Sequence, residues 1–547
     1  MSRVLLVSYP GYPSTPATLV ANPWLGNTAA ALQAAGHSVL ALDYGTLSTM
    51  RRLYPESLTA HLRPLAARVA ESGGGAMNED QLRVLREVSD TLDAHQRLTE
   101  GQLSAEVAAA ARSWQPDVVA LELADTDGYA GTMGIIRQLR AELPAAHLVC
   151  GGRKAIWFRH RLLNVCPELD SVAFGDIEAV VPALATRHDL RGAGEPIAGL
   201  LERGQPADDV PAGHQLSPDD LPVPIYDPDI YPAMAGDEKI KMPIVTDSRG
   251  CPNRCAFCVH PFEDGGRLRQ ASPEHIADVF AALQARYGFS VFRLGGASTP
   301  ASLLHGLAQE ILRRGLRLRY NSFGHFRGAK PEQMPTLAAS GLVSLFYGLE
   351  SGSQTILDRA CHKGVKLADV GPVVTAARQA GIFTATSMVV PLPFDTPETL
   401  AESLAFVVNL RPDAVPLQFP GLFPGSPWFE HPERYAIEIA DREQFLLWAM
   451  DYRIKLFFPP RYWEPLPYKV NGMGFHEFAE ITSQFGRDLE AAGILTHFSH
   501  TLAALAAAAE MPPRQLRDLA QLWCLTGDAE AMGEMVARAN RNLVRQA

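Results

Sequence analysis

The feature that most restricts this chain is a group of three cysteines near its middle. Cys251, Cys255 and Cys258 lie in the segment SRGCPNRCAFC, with the spacing C-x-x-x-C-x-x-C. The preceding segment, PIVTDSRG, has the pattern of a strand, which would place the thiols at a strand's carboxyl end. A four-iron cluster takes a thiolate on each iron, so three cysteines leave one iron open. His260 would complete a closed zinc site, which is the alternative; the spacing favours the cluster.

Length and composition set the broad class. The 547 residues exceed one core and predict about two to four domains, and 47% hydrophobic with 20% charged residues is ordinary for a globular protein. The net charge of −11, without a long basic stripe, argues against a nucleic-acid partner.

No run approaches the roughly 20 apolar residues of a membrane helix. The opening MSRVLLVSYPGYPSTP lacks a charged leader and a cleavage site, which predicts a cytoplasmic protein. The remaining cysteines are scattered and predict no disulfide framework: Cys150, Cys166, Cys361 and Cys524.

Residues 1–200 predict an α/β domain. Strand-like segments (RVLLVSYP, HSVLALDYG, DVVALELA, HLVCGG) alternate with helical ones, which favours a parallel sheet with ligands at the strands' carboxyl ends. The loop YPGYPS is not the dinucleotide fingerprint G-x-G-x-x-G. Gly151 and Gly152 directly follow a strand, where a large flat ligand could approach the backbone. A tight strand-to-helix turn is the alternative, and these residues alone favour the turn.

Three further regions follow along the chain. Residues 201–240 are rich in proline and acid and predict a linker, 241–428 hold the cysteine motif, and 429–547 read as amphipathic helices. The last region concentrates aromatic residues: Trp448, Tyr452, Phe457, Phe458, Tyr462, Trp463, Tyr468 and Phe475. The favoured interpretation is a helical cap with an aromatic core, and the alternative is the wall of an apolar substrate site. Three histidines there and near the cysteines could move protons: His260, His275 and His476.

Residues 241–428 resemble the radical S-adenosylmethionine (radical SAM) superfamily. The resemblance rests on SRGCPNRCAFC, SVFRLGGASTP, GLVSLFYGLESGSQTIL and ATSMVVPLPFDTPETL. It implies a partial (β/α)6 barrel whose Cys251, Cys255 and Cys258 hold a [4Fe–4S] cluster, with S-adenosylmethionine chelated to the open iron. The residues implied near that cofactor are Phe257, Gly295, Gly296, Glu350, Ser351 and Ser353. Ala297 stands where the family usually has an acid after the glycines, which puts the contact to the methionine amino group in doubt.

The first domain and the linker LSPDDLPVPIYD resemble the cobalamin-dependent branch of that superfamily. CGG and FGDIE stand where this branch keeps its Gly-Gly strand end and its acidic turn. The resemblance implies cobalamin contacts from Gly151, Gly152, Gly175 and Glu178. DAHQRL lacks the glycine of the D-x-H-x-x-G cobalt-ligand motif, so His95 is interpreted as a solvated helix residue. Arg68 is a candidate for the cobalt's lower face, although a plain amphipathic helix is favoured there.

The combined resemblance implies an enzyme that moves a methyl group from S-adenosylmethionine, through methylcobalamin, to a carbon of a small molecule. An aromatic carbon such as C2 of tryptophan, in antibiotic biosynthesis, is one candidate target. An external electron donor is expected, and no nucleic acid or membrane partner. The alternatives are ring formation or oxidation without methylation, a cobalamin sensor, and a zinc-bound structural protein.

The cluster's fourth ligand is expected to be S-adenosylmethionine. Glu274, sixteen residues after Cys258, is the rival among protein groups. Its favoured alternative role is to complement the positive end of the helix that Ser272 and Pro273 are predicted to begin.

Overall fold

The computed structural model describes residues 1–71, 79–123, 127–190, 195–206, 213, 215–263, 266–453 and 460–544. The first 202 residues contain strands β1 (Arg3–Ser8), β2 (Ser38–Asp43), β3 (Val118–Glu122), β4 (His147–Gly151), β5 (Ser171–Ala173) and β6 (Leu200–Glu202). Their helices are α1 (Pro23–Ala34), α2 (Leu47–Leu53), α3 (Glu56–Glu71), α4 (Glu79–Trp114), α5 (Tyr129–Glu142), α6 (Arg153–Phe158), α7 (His160–Val165) and α8 (Ile177–Asp189).

These strands form one sheet in the order β2-β1-β3-β4-β5-β6, in which only β6 runs antiparallel. Val4 to Val7 of β1 are buried on both faces, as a central parallel strand requires. Helix α1 begins where Asn22 caps the backbone N–H of Trp24 and Pro23 occupies the first turn. The strand order reverses between β1 and β3, so this crevice is the expected ligand site of a doubly wound fold. The predicted Rossmann-like domain is confirmed.

The central region contains strands β7 (Ile244–Val245), β8 (Ser248–Arg249), β9 (Arg269–Gln270), β10 (Val291–Leu294), β11 (Arg319–Gly324), β12 (Leu342–Glu350), β13 (Phe383–Val389), β14 (Ala414–Val415) and β15 (Leu417–Gln418). Its helices are α9 (His260–Glu263), α10 (Pro273–Tyr287), α11 (Ala301–Arg314), α12 (Met334–Ala339), α13 (Gln354–Ile356), α14 (Leu367–Gln379) and α15 (Pro397–Leu410). Strands β7, β10, β11, β12, β13 and β14 lie side by side in chain order and parallel, with a helix between successive strands. This is the predicted partial (β/α)6 barrel.

The C-terminal region is mostly helical, as predicted. It contains α16 (Pro427–Glu430), β16 (Ile437–Ile439), α17 (Arg442–Asp451), β17 (Tyr468–Val470), α18 (Phe475–Ala491), β18 (Leu495–Thr496), α19 (His500–Ala508), α20 (Pro513–Thr526) and α21 (Ala529–Leu543). The sequence did not predict that β18 would extend the barrel sheet by pairing in parallel with β14. The C-terminal region is therefore part of the barrel wall as well as a cap.

Aromatic residues of this region pack mainly on one another. The rings of Trp463 and Phe475 lie 6.1 Å apart, as do those of Tyr468 and Phe478, and all four side chains are buried. This arrangement supports the interpretation of an aromatic core. Phe457 and Phe458 lie outside the described residues.

The proline-rich segment before the barrel packs against the first sheet. Lys239 Nζ lies 2.6 Å from Asp43 Oδ2, and both side chains are 1% exposed. Asp43 also accepts a hydrogen bond from Tyr231, and the Ala41 N–H donates to the carbonyl of Ile230. The segment thus contributes buried partners to the N-terminal domain. Within the described ranges, every helix is too short or too polar to cross a membrane.

Candidate cofactor sites

The cysteine loop begins after β7 and β8, at the carboxyl end of the first barrel strand. Cys251 and Cys255 are 8% and 6% exposed, and Cys258 is half-buried. Burial raises the pKa of Cys255 to about 11 and that of Cys258 to about 12, while the Lys363 ammonium opposes both shifts. Because only a thiolate binds iron tightly, the loop needs positive charge from the metal and from its surroundings to ionise.

Both backbone groups of Ala256, inside the loop, are held by other elements. Its N–H donates to the carbonyl of Cys361 at 2.8 Å, and its carbonyl accepts from the Trp428 N–H at 3.0 Å. The Trp428 indole N–H reaches the carbonyl of Ala360 at 2.9 Å. The loop is therefore clamped between the turn after α13 and the start of α16.

The donor set fits a cluster better than a single ion. In the part of the chain that the structure describes, no three His, Cys, Asp or Glu side chains converge as they would around one metal ion. His260 turns its ring to Glu263, with Nδ1 3.1 Å from Oε2, and only its backbone N–H bonds the Cys258 thiol. The zinc alternative thus lacks its fourth ligand in this geometry.

Gly295 and Gly296 follow β10 and lie against the residues that enter the cysteine loop. The buried carboxylate of Asp247 accepts from the Gly296 N–H at 2.6 Å and from the Thr299 hydroxyl at 2.7 Å. A β-carbon on Gly296 would overlap the Ser248 hydroxyl and lie 2.8 and 2.9 Å from the Asp247 oxygens. Sequence reasoning missed Asp247, which supplies a buried acid beside the glycines although Ala297 does not.

Glu350 ends β12 in a left-handed backbone conformation, with φ 69°. Its Oε1 lies 2.6 Å from Lys363 Nζ, and both side chains are 7% exposed. A β-carbon on Gly348 would overlap both charged groups, so the absence of a side chain there makes room for the pair. Lys363 was also missed, because CHKGVK reads as an exposed polar turn.

The other residues implied near S-adenosylmethionine surround this pair. The Ser351 hydroxyl lies 3.0 Å from that of Ser403 and accepts from the Ser353 N–H, so both serines of the turn are tied to α15. The half-buried ring of Phe257 lies 5.6 Å from Lys363 Nζ and 5.7 Å from the Trp428 ring. The structure therefore brings the six predicted positions to one end of the barrel, beside the cysteines.

The N-terminal domain has a cavity of about 210 Å³ where its strand order reverses. The residues that line it include Asn22, Asp43, Glu122, Lys239 and Ile244, so the first sheet and the barrel both contribute walls. Burial raises the pKa of Glu122, which accepts hydrogen bonds from Ser8 and Asn22.

The glycine that follows β4 lies beside Glu122, one of the residues that line this cavity. Gly152 has φ 96°, and its missing β-carbon would face Glu122 and Leu123. A β-carbon on Gly151 would face Ile177 and Trp24. The Trp24 indole nitrogen is buried and has no hydrogen-bond partner among the described residues. The unsatisfied Trp24 donor and the strand end without side chains lie at the carboxyl edge of the sheet, where a doubly wound fold binds its ligand.

The acidic turn FGDIE reaches across to the cysteine loop. Arg249, two residues before Cys251, pairs with Asp176 at 2.6 Å and with Glu178 at 2.7 Å, and Arg269 pairs with Asp176. Burial opposes ionisation of Asp176, but the two arginines hold its pKa below the usual value. This network ties the ligand edge of the first domain to the loop that carries the thiols.

Several predicted residues lie elsewhere or have other partners. Gly175 packs against Gly199 and Gly213, and a β-carbon would meet their backbone at 3.1–3.4 Å. His95 is in α4 and hydrogen-bonds the carbonyl of Arg52, which agrees with a structural helix residue. Arg68 falls in α3, but its side chain is outside what the structure describes.

Glu274 lies in the first turn of α10, which Ser272 caps as predicted. Its side chain is exposed and interacts electrostatically with Arg313 of the neighbouring helix. In the first turn its carboxylate complements the positive end of the helix.

Comparison with known proteins agrees with this geometry. Residues 245–407 match the radical SAM superfamily. The match runs from β7 into α15 and includes the cysteine loop and the Lys363–Glu350 pair.

One extensive structural match is to the radical S-adenosylmethionine methyltransferase TsrM from Kitasatospora setae, solved with cobalamin and a [4Fe–4S] cluster. It covers 97% of this chain and 100% of TsrM, with TM-score 0.63 and 16% identity. A second TsrM structure, with tryptophan substrate and an S-adenosylmethionine analogue, covers 78% of this chain and 75% of that one, with TM-score 0.57 and 19% identity. At these identities the likeness shows a shared fold, and it confirms the predicted three-part architecture.

The sequence relatives are also distant, at 23% and 24% identity. An uncharacterized methyltransferase of Pyrococcus horikoshii is 23% identical over 345 residues, which are 61% of this chain and 73% of the relative. The anaerobic magnesium-protoporphyrin IX monomethyl ester cyclase of Cereibacter sphaeroides is 24% identical over 352 residues. The matched part covers 61% of this chain and 56% of the cyclase, so it spans little more than half of that protein.

Proposed function

We propose that this protein is a cobalamin-dependent radical SAM methyltransferase that transfers a methyl group from S-adenosylmethionine to a carbon of a small molecule. The observation that carries the proposal is the Arg249 network, in which Asp176 and Glu178 bind the last residue of β8, two residues before Cys251. It fixes the ligand edge of the N-terminal domain beside the thiols. A carrier bound in the first domain would therefore lie next to a cofactor bound in the second.

The residues divide the work of holding two cofactors and a substrate. When bound, cobalamin supplies a methyl carrier, and the cluster supplies electrons and an open iron. Cys251, Cys255 and Cys258 would hold the cluster. Asp247 fixes the Gly296 backbone next to the loop, and the Lys363–Glu350 pair sets the charge there. The remaining task of the protein is to orient these groups and exclude water from between them.

Gly151 and Gly152 are the proposed cobalamin contacts, with the cavity at β1 and β3 as part of the site. Glu178 serves cobalamin indirectly in this proposal, because its carboxylate is engaged by Arg249. Gly175 is proposed to shape the same turn through its packing on Gly199 and Gly213. We expect no histidine ligand to cobalt from His95, whose ring is committed to the carbonyl of Arg52.

An aromatic small molecule is the proposed substrate class, and tryptophan is the first compound to test, because TsrM was solved with tryptophan as substrate. Phe423 is 37% exposed, and its ring lies 5.4 Å from that of Trp157, on the helix that follows Gly152. This pair offers an apolar surface between the first domain and the barrel. A low-potential electron donor from outside the chain would reduce the cluster.

The proposal is tested with anaerobically reconstituted protein. We expect about four irons and four sulfides per chain, bound cobalamin, and a product heavier by about 14 Da, the mass of a transferred methyl group in place of hydrogen. The triple variant with Cys251, Cys255 and Cys258 changed to Ala should lose all cluster absorbance and turnover. Cys524→Ala, in a buried position remote from the loop in sequence, is the matched control and should retain both. Full iron retention in the triple variant would refute the cluster assignment.

Ring formation without methylation is a second candidate, favoured by the match to the cyclase. The same assay separates the two. A product that loses hydrogen and gains no methyl group would replace the methyltransferase proposal with this one.

A further inference from the structure

A buried lysine stands beside the cysteine loop. Lys363 follows a π-helical turn (Leu357–Cys361) and precedes Gly364, and its side chain is 7% exposed. An ammonium group offers three donors, and Glu350 is the one hydrogen-bond partner of Lys363 among the described residues. Burying such a charge is costly unless it is fully compensated.

The position of this charge relative to the thiols is fixed by the backbone. The hydrogen bond from Ala256 to Cys361 joins the lysine's own turn to the middle of the cysteine loop. Lys363 Nζ lies 5.6 Å from the Phe257 ring, and it interacts electrostatically with Cys255 and Cys258.

A second buried lysine, Lys239, allows a comparison within the same protein. Lys239 bonds Asp43 and the carbonyl of Gly45, while Asp43 also accepts from Tyr231 and the Gly45 N–H. The Lys239–Asp43 pair therefore has several protein partners. The Lys363–Glu350 pair has fewer, and it lies beside the loop that carries Cys255 and Cys258.

We propose that Lys363 tunes the redox behaviour of the cluster: its fixed positive charge stabilises the reduced form and so raises the reduction potential. The inference rests on the proposed function, since it requires a cluster on Cys251, Cys255 and Cys258. The step is the gain of one electron by the oxidised cluster from the external low-potential donor, and no bond forms or breaks. The reduced cluster carries one more negative charge, which the ammonium offsets at close range in a low-dielectric site.

The test is a redox titration of the reconstituted enzyme without S-adenosylmethionine. The paramagnetic resonance signal of the reduced cluster measures how much cluster is reduced at each potential. We expect Lys363→Met to lower the reduction potential, so that the ratio of reduced to oxidised cluster at a fixed poise falls about tenfold, equivalent to about 59 mV for a one-electron couple. Lys363→Arg, which keeps the charge, should restore most of the signal. Lys366→Met removes an exposed lysine three residues away and is the matched control.

A double variant that removes both charges keeps the test informative if Lys363→Met alone fails to fold or to assemble a cluster. Lys363→Met with Glu350→Gln leaves no uncompensated buried charge, so it should assemble a cluster even if Lys363→Met does not. Its potential should lie below that of the wild type but above that of the single variant. A wild-type potential in either variant, with iron content intact, would overturn the role of Lys363. An absence of iron and sulfide from the wild type would instead refute the proposed function itself.

Discussion

Two Gly-Gly pairs end parallel strands in this protein, one in each half of the proposed active site. Gly151 and Gly152 follow β4 of the first sheet, and Gly295 and Gly296 follow β10 of the barrel. In both pairs the missing side chains face atoms of the protein at close range. The neighbours differ: the first pair meets Ile177, Trp24 and the end of β3, whereas the second meets the strand that leads into the cysteine loop.

The difference shows what a glycine pair can and cannot indicate. At the first pair, Gly152 is required mainly by its backbone, since φ 96° with ψ 179° is a conformation that other residues rarely adopt. At the second pair, Gly296 is required by the close approach of Asp247 and Ser248. A Gly-Gly dipeptide in the sequence therefore indicates that other atoms lie close to the backbone. Which atoms these are can be learned only from the tertiary structure.

The largest effect is expected from Gly296→Ala. The added methyl group would overlap the Ser248 hydroxyl and displace the Asp247 carboxylate from two buried hydrogen bonds. Overpacking and a broken buried bond together should cost the central domain about 3 kcal/mol of unfolding free energy. Urea unfolding of the apo-protein measures this loss, and reconstituted samples should also retain less iron.

Ser248→Ala provides the control, because it removes the atom nearest to the new methyl group. The double variant Gly296→Ala with Ser248→Ala should recover part of the lost stability. Equal stability of the single and double variants would show that Ser248 does not restrict this position.

A smaller effect is expected at the first pair, where Gly152→Ala should cost about 2 kcal/mol through backbone strain. Gly151→Ala should cost less, because its nearest neighbour, 2.9 Å away, is the flexible end of Ile177. Bulky residues at both positions should weaken cobalamin binding, which a titration of cobalamin absorbance measures. Unchanged affinity in that double variant would refute the proposed contact.

The smallest effect concerns Asp247 and pH. Burial raises the pKa of this carboxyl in the folded protein above its unfolded value of about 3.9. The stability due to its protonated form is therefore present below about pH 4 and is lost as the pH rises through the folded pKa. The unfolding free energy of Asp247→Asn should accordingly improve relative to wild type as the pH rises above about 4. A difference that stays constant with pH would contradict the raised pKa.

Much of the fold was predictable because local patterns and tertiary structure agree. Buried strands such as RVLLVS and the cap of α10 at Ser272 are set by their own residues, and the structure has both. The cysteine spacing likewise carries its meaning within eleven residues. These features need no distant partner to be recognised.

Other features depended on contacts that no local pattern records. The two residues of β18 become a strand only because β14 offers a free edge. Lys363 is indistinguishable in sequence from the exposed Lys366, and only the space at Gly348 shows that it is buried. Glu178 was predicted at the correct turn, yet its partner Arg249 lies 71 residues away.

The clamp on Ala256 has a consequence for repair after oxygen damage. Fixing the backbone of one residue costs about 1–2 kcal/mol of conformational entropy, and here that cost is met when the chain folds. A loop emptied of metal should keep its shape, so that iron and sulfide can re-enter a receptor that already exists. Equal protection of the Ala256 amide against hydrogen exchange, before and after removal of the metal, would demonstrate that the empty loop keeps its shape. Loss of the cluster to oxygen would then be reversible without unfolding of the chain.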